Sequence, residues 1–212
     1  MMIALLLAAT TPGQIQAERA FAADAQRIGV WTAFRKYALP DAVIFTPQAA
    51  WAQEALKGLK DPPKSFDWWP TKSFMSCDGR TAVNVGDAVN AERQPMSHFT
   101  TVWVHSGKNW RWAYDGGLPI TKDEKLSPKG TKPVVVRARC GKAPGAPVIP
   151  PRPLTEKQAK KTPEDSGRGE SADKTLGWDW KVEKDGRRHF RVFLWNGDHY
   201  SQVLYQDVPP PK

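Results

Sequence analysis

Residues 98–117 read HFTTVWVHSGKNWRWAYDGG, two strand-like runs on either side of Ser106-Gly107-Lys108-Asn109. Successive side chains of a strand point to opposite faces, and a glycine supplies the positive φ that a tight hairpin loop needs. The stretch therefore predicts two antiparallel strands joined at Gly107-Lys108. That register sets Trp103 opposite Trp112, His105 opposite Trp110 and Thr101 opposite Tyr114. Phe99, Thr101, Trp103, His105, Trp110, Trp112 and Tyr114 then share one face. His98, Thr100, Val102, Val104, Arg111, Ala113 and Asp115 share the other.

Strand signals continue upstream. Residues 65–77 and 80–89 flank Asp78-Gly79, a strong two-residue hairpin signal. Ahead of them the period changes. Phe21, Ala22, Ala25 and Ile28 recur at helical spacing within residues 18–28, and Gly29 is a stop. Residues 30–37 make a second helix with Trp31 and Phe34 inward. Leu39-Pro40-Asp41 breaks it, because the residue before a proline avoids the α region. Residues 42–46 read as a short strand, and Pro47 opens a third helix running to Gly58. Helices followed by a run of strands predict an α+β domain, its helices packed on one face of a curved antiparallel sheet. KPVVVRARC, residues 132–140, adds a later strand.

Downstream, residues 141–177 carry Pro144, Pro147, Pro150, Pro151, Pro153 and Pro163 among Lys, Glu, Ser and Gly. Such a segment buries too little apolar surface to offset its ordering entropy and reads as a mobile linker, with a short helix at 155–161. Residues 178–182, 188–195 and 199–206 are strands parted by the hairpin signals Asp185-Gly186 and Asn196-Gly197. Three strands are too few to fold alone, so they dock on the first domain, beside residues 132–140 or over its open end. The expected plan is a signal peptide at 1–17, an α+β domain at 18–140, a linker at 141–177 and a three-stranded extension at 178–208.

The chain has 212 residues, ten of them Trp, enough for one substantial core with an appendage. Its 31 basic against 22 acidic residues give a net charge of +9. That charge favours anionic surfaces, but the basic residues are spread rather than clustered, which argues against nucleic acid as a partner. MMIALLLAA at the start, with Ala17 as the cleavage point, reads as a secretory signal and places the protein in the periplasm or outside the cell. The competing reading is an apolar first helix, since no Lys or Arg precedes the run. It is too short to span a bilayer, so no integral membrane contact is expected. In an exported chain Cys77 and Cys140 have one possible pairing, which closes a loop of about 60 residues and stabilises by roughly 4 kcal/mol. Unbridged thiols are the alternative. Two Cys and four scattered His form no metal-ligand cluster, and no cofactor motif is present.

Two stretches resemble a known superfamily: AERAFAADAQRIGVWTAFRKYALPDAVIFTP at the front and FTTVWVHSGKNWRWAYDGG behind it. Residues 18–117 look like the nuclear transport factor 2-like proteins, the cone-shaped fold of ketosteroid isomerases and SnoaL-like cyclases. The likeness covers about half the chain and speaks to fold far more than to function. It implies a pocket between helices and sheet, lined by Trp31, Phe34, Trp51, Trp103, Trp112 and Tyr114, and a homodimer formed through the sheet. The alternative is a solid core in which each ring buries ~150–250 Å². The isomerase branch sets a Tyr and a protonated acid on one oxyanion, with a separate carboxylate base. That trio cannot be placed here, and spacing singles out none of Tyr37, Tyr114 and Asp41.

For catalysis the candidates are Asp115, His98 and Asp41. His98 and Asp115 share a face in the predicted register, and an Asp–His pair can act as an oriented general base. A one-residue slip would separate them. Arg187 to Arg191, near Trp178 and Trp195, mixes cations with aromatics as stacking surfaces do, but so does any half-exposed strand. No phosphate loop or nucleophile elbow is present. The sequence thus predicts binding of a small apolar or aromatic ligand, without a cofactor. Two alternatives stand beside it: an isomerase, dehydratase or cyclase using Asp115 with His98, or Asp41, as base, and an interaction module of the cell envelope.

Overall fold

A computed structural model describes residues 13–121, 124–148 and 165–210. Helices α1 (Gly13–Ile28) and α2 (Val30–Tyr37) meet at Gly29, whose φ of +98° favours glycine. The Asp61 carboxyl fills the space a Cβ would need there. It accepts the backbone N–H groups of Trp31 at 2.6 Å and Thr32 at 3.1 Å. A residue 30 positions away thus caps the first turn of α2 in place of a local side chain. The expected cleavage point after Ala17 falls inside α1, whose first turns bury Gln14 and Ile15. The packed helix therefore begins ahead of the expected domain start at residue 18.

Strand β1 (Ala38–Phe45) follows α2 directly. Where a third helix was expected, the chain forms β2 (Ala49–Trp51) and the single-turn α3 (Ala52–Ala55). Ala49, Ala50 and Trp51 pair with Phe45, Ile44 and Val43, and those ladder bonds outweigh the weak helix preference of so short a segment. The expected meander is β3 (Asp67–Met75), β4 (Thr81–Val89), β5 (Pro95–Ser106) and β6 (Asn109–Pro119), with β7 (Val134–Arg137) alongside. The seven strands run in the order β2-β1-β6-β5-β4-β3-β7. Because β1 lies parallel to β6 and β7 parallel to β3, the sheet is mixed and not purely antiparallel. Its helix-side core centres on Phe21, whose ring lies 4.8 Å from Phe34, 4.8 Å from Trp68 and 6.0 Å from Trp103, edge to face.

The opposite face is covered by a second sheet. β8 (Ser166–Glu170), β9 (Leu176–Val182), β10 (Arg188–Trp195) and β11 (Tyr200–Val208) form it in the order β11-β10-β9-β8. Leu176, Phe190 and Val192 pack against Phe74, Val83 and Val102 of the first sheet. The extension thus has four strands, and β8 comes from the expected linker. Gly167 and Gly169 lie opposite Trp180 and Trp178. A Cβ at either would stand 2.6 or 2.4 Å from an indole atom, so bare backbone is what lets the two rings lie across the strand. Residues 141–148 are described too. They run beside this sheet, with Gly145 N–H donating to Tyr200 Oη at 3.1 Å and a Cβ contact from Ala146 at Gly177. The helix expected at 155–161 lies outside the described residues. The first sheet's outer face, expected to pair with a second copy, is occupied by the chain itself.

Candidate functional site

Trp103 and Trp112 stand opposite each other and both point to the helix side, completely buried. Tyr114 does not follow them. Val102 pairs with Tyr114 and Trp103 with Trp112, so Ala113 is an extra residue, a β-bulge that reverses the alternation beyond it. Tyr114 therefore turns to the second sheet and stacks on Phe190 at 4.4 Å. Asp115 turns the other way, opposite Thr101, whose hydroxyl donates to Oδ2 at 2.8 Å. His98 is thereby parted from Asp115. It pairs with Asp87 at 2.7 Å through Nδ1 and with Glu124 at 2.8 Å through Nε2. Burial of the ring opposes its charged form, but the bonds to Glu124 and Asp87 prevail and raise its pKa. His98 clips the segment after β6 onto β4. Asp41 is exposed on β1. The Asp–His base is not assembled.

The cavity lies beside these rings, at the end of the sheet where β1, β4 and β6 approach α2 and α3; it is partly open to solvent and holds about 530 Å³. Of the six aromatic residues expected to line it, Trp31 and Phe34 do, one helical turn apart on α2. Trp103 and Trp112 are packed behind the wall, while Trp51 and Tyr114 face the second sheet. The other wall residues include Leu56, Phe66, Trp68 and Phe99, with Leu59 and Met96 at the exposed rim. β10 and the end of β11 close one side through Arg188, Val208 and Pro209. The C-terminal extension thus covers the first domain's open end as well as its outer face.

Two charged side chains interrupt this apolar wall among the described residues, Asp115 and Arg188. Asp115 keeps some accessible surface but lies deep among protein atoms. Burial pushes its carboxyl up to about 6, against the Thr101 bond and the nearby Arg188 charge. Arg188 is 7% exposed. Its guanidinium lies over the Phe45 ring at 4.0 Å, and Nη2 donates to Gly117 O at 2.6 Å. Its Nε is buried without an acceptor. A carboxyl near 6 in an apolar cavity can accept a proton at neutral pH, and a guanidinium beside it can hold an anionic or oxyanionic oxygen.

A second buried acid stands behind the wall. Glu18 on α1 is wholly buried and accepts Trp103 Nε1 at 2.6 Å, Trp68 Nε1 at 2.8 Å and Asn84 Nδ2 at 3.1 Å. Desolvation raises its pKa to about 7 despite those donors. One sequence signal could have found it: Ile15, Glu18, Phe21 and Ala25 fall on one helical stripe, so an acid interrupts an apolar face. Asp115 and Arg188 gave no such signal, since the first depends on the bulge and the second on docking between sheets. The buried indole N–H of Trp112 has no acceptor, and nothing among the described residues explains it.

No family model, curated protein or solved structure matches this chain.

Proposed function

We propose that the protein binds a small, largely apolar molecule in the cavity beneath α2, within a cone-like fold of the nuclear transport factor 2-like type. The observation that carries this reading is the wall itself. Trp31, Phe34, Phe66, Trp68 and Phe99 face about 530 Å³ of space, a size typical of small-molecule pockets. We also infer export, supported by the bond between Cys77 and Cys140, because disulfides persist in oxidising compartments. The test uses a neutral fluorescent probe, N-phenyl-1-naphthylamine, titrated into the full chain. Saturable uptake, reversed by decan-1-ol, is expected. Ala55 lines the cavity from a half-buried position, so Ala55→Trp should fill it and weaken uptake at least about tenfold with little change in Tm. No saturable uptake, or full uptake by that variant, overturns the proposal.

A second reading is favoured by Asp115 alone. A buried carboxyl with a pKa near 6 is suited to removing a proton from a bound carbonyl compound. Its signature is exchange of deuterium from solvent into a bound cyclic ketone, abolished in Asp115→Asn.

A further inference from the structure

We propose that the cavity's ligand carries a carboxylate, and that Arg188 of the C-terminal sheet receives it. This rests on the cavity reading above and adds the ligand's chemical class.

The argument starts from unmet demand. The wall carries two charged side chains among the described residues, and the two are not in the same state. Asp115 already accepts the Thr101 hydroxyl. Arg188 is more than nine-tenths buried, makes no ion pair among the described residues, and leaves Nε without an acceptor. Its partners are one carbonyl, Gly117 O, and the face of Phe45. A buried guanidinium is normally matched by an anion, because desolvating a charge costs several kcal/mol unless it is paired. A cation–π contact and one carbonyl offset only part of that cost. The missing group is thus a charge partner: Nε is closed off from the cavity, so a ligand would meet the outer guanidinium nitrogens, and a carboxylate fits that planar fork of donors.

Shape points the same way. Gly116 lies beside the guanidinium, and a Cβ there would stand 3.1 Å from Arg188 Nη2 and 2.8 Å from Tyr114 Oη. The side chain that would crowd Nη2 is absent. The ligand's apolar body would then lie against Trp31, Phe34, Phe66 and Phe99, with its head towards β10. Asp115 is the group that works against this placement. It is the other charge on the wall, and Arg188 is close enough to lower its pKa.

The experiment compares decanoate with decan-1-ol as competitors of the neutral probe on the full chain at about pH 7.5. The alcohol is the more apolar of the two and binds better to a purely apolar cavity. The expected result is decanoate at least about tenfold tighter, with that preference lost in Arg188→Gln while the alcohol binds as before. Because Arg188 also holds Gly117, a measurement on the wild type stands beside the variant. The ¹³C shift of carboxyl-labelled decanoate should show the bound head still ionised at about pH 6, where an apolar pocket without a cation would hold it protonated. If neither competitor binds, the cavity reading falls and this one with it. If the alcohol binds as tightly as the acid, the cavity stands and the carboxylate inference is overturned. A preference that survives Arg188→Gln, or a bound head that is protonated at that pH, overturns it too.

Discussion

Replacing both cysteines, Cys77→Ser with Cys140→Ser, should remove about 4 kcal/mol of folding stability and lower Tm by roughly 8–16 °C. The bridge spans 63 residues of sequence, so its loss returns a large closure entropy to the unfolded chain. Its position adds to the effect. Cys77 follows β3 and Cys140 follows β7, and these two strands pair in parallel through Lys72–Val134 and Met75–Arg137. The second sheet is anchored at the same corner. Cys77 N–H donates to Thr175 Oγ1 at 2.8 Å, Asp78 N–H to Asp173 Oδ2 at 2.7 Å, and Arg139 N–H to Trp195 O at 2.8 Å. The double variant should therefore also expose the turn between β8 and β9 to trypsin, at Lys174, before global unfolding. Urea titration of oxidised and double-variant protein measures the first effect and timed proteolysis the second. A loss under about 1 kcal/mol would show that this corner is held by its hydrogen bonds and not by the bridge.

How far the sequence foretold this arrangement depends on whether the deciding force is local. Gly107, Gly79, Gly186 and Gly197 all take the positive φ that their hairpin signals imply, since the turn residue itself sets that geometry. Trp103 faces Trp112 because both lie within a few residues of the Gly107 turn. Beyond Ala113 the prediction fails. A bulge is settled by what the strand must reach on each side, here Phe190 for Tyr114 and Thr101 for Asp115. That single extra residue moved Tyr114 out of the expected pocket, brought Asp115 into view of the cavity and dissolved the pairing with His98. β8 was illegible for a different reason. SGRGE has no apolar pattern, and it is a strand because Trp178 and Trp180 need a neighbour without side chains. The cap of α2 by Asp61 and the arrival of Arg188 at the cavity are likewise contacts between distant parts of the chain. Periodicity reports which face of an element is buried, not which element buries it.

Glu18→Gln should flatten the pH dependence of stability between about pH 5 and 8. The native carboxyl titrates at about 7 against 4.5 for a free one. Folding therefore holds a proton that the unfolded chain releases, so stability falls as pH rises from the unfolded value through the folded one. The full difference is on the order of 3 kcal/mol, complete by about pH 8. Asp115, raised from 3.8 to about 6, acts in the same direction. Asp24, lowered to about 2 by its bonds to Lys36 and Arg27, acts oppositely and only under strong acid. The wild-type optimum thus lies at about pH 4–5. Glutamine removes the charge but keeps one oxygen, whereas Trp68 Nε1 donates to Oε1 and Trp103 Nε1 to Oε2, so one indole loses its acceptor and part of the gain is offset. Its amide also brings a donor to a cluster in which Gln14 Oε1 and Asn84 Oδ1 are buried without one. Glu18→Leu, by contrast, strands Trp68 Nε1 and Trp103 Nε1, leaves Asn84 Nδ2 with Gln14 O alone, and should destabilise by about 3 kcal/mol or more at every pH. Thermal unfolding of the three proteins between about pH 4 and 8 separates the cases. If Glu18→Gln tracks the wild-type curve at a constant offset, the carboxyl stays ionised throughout, and the three donors outweigh its burial.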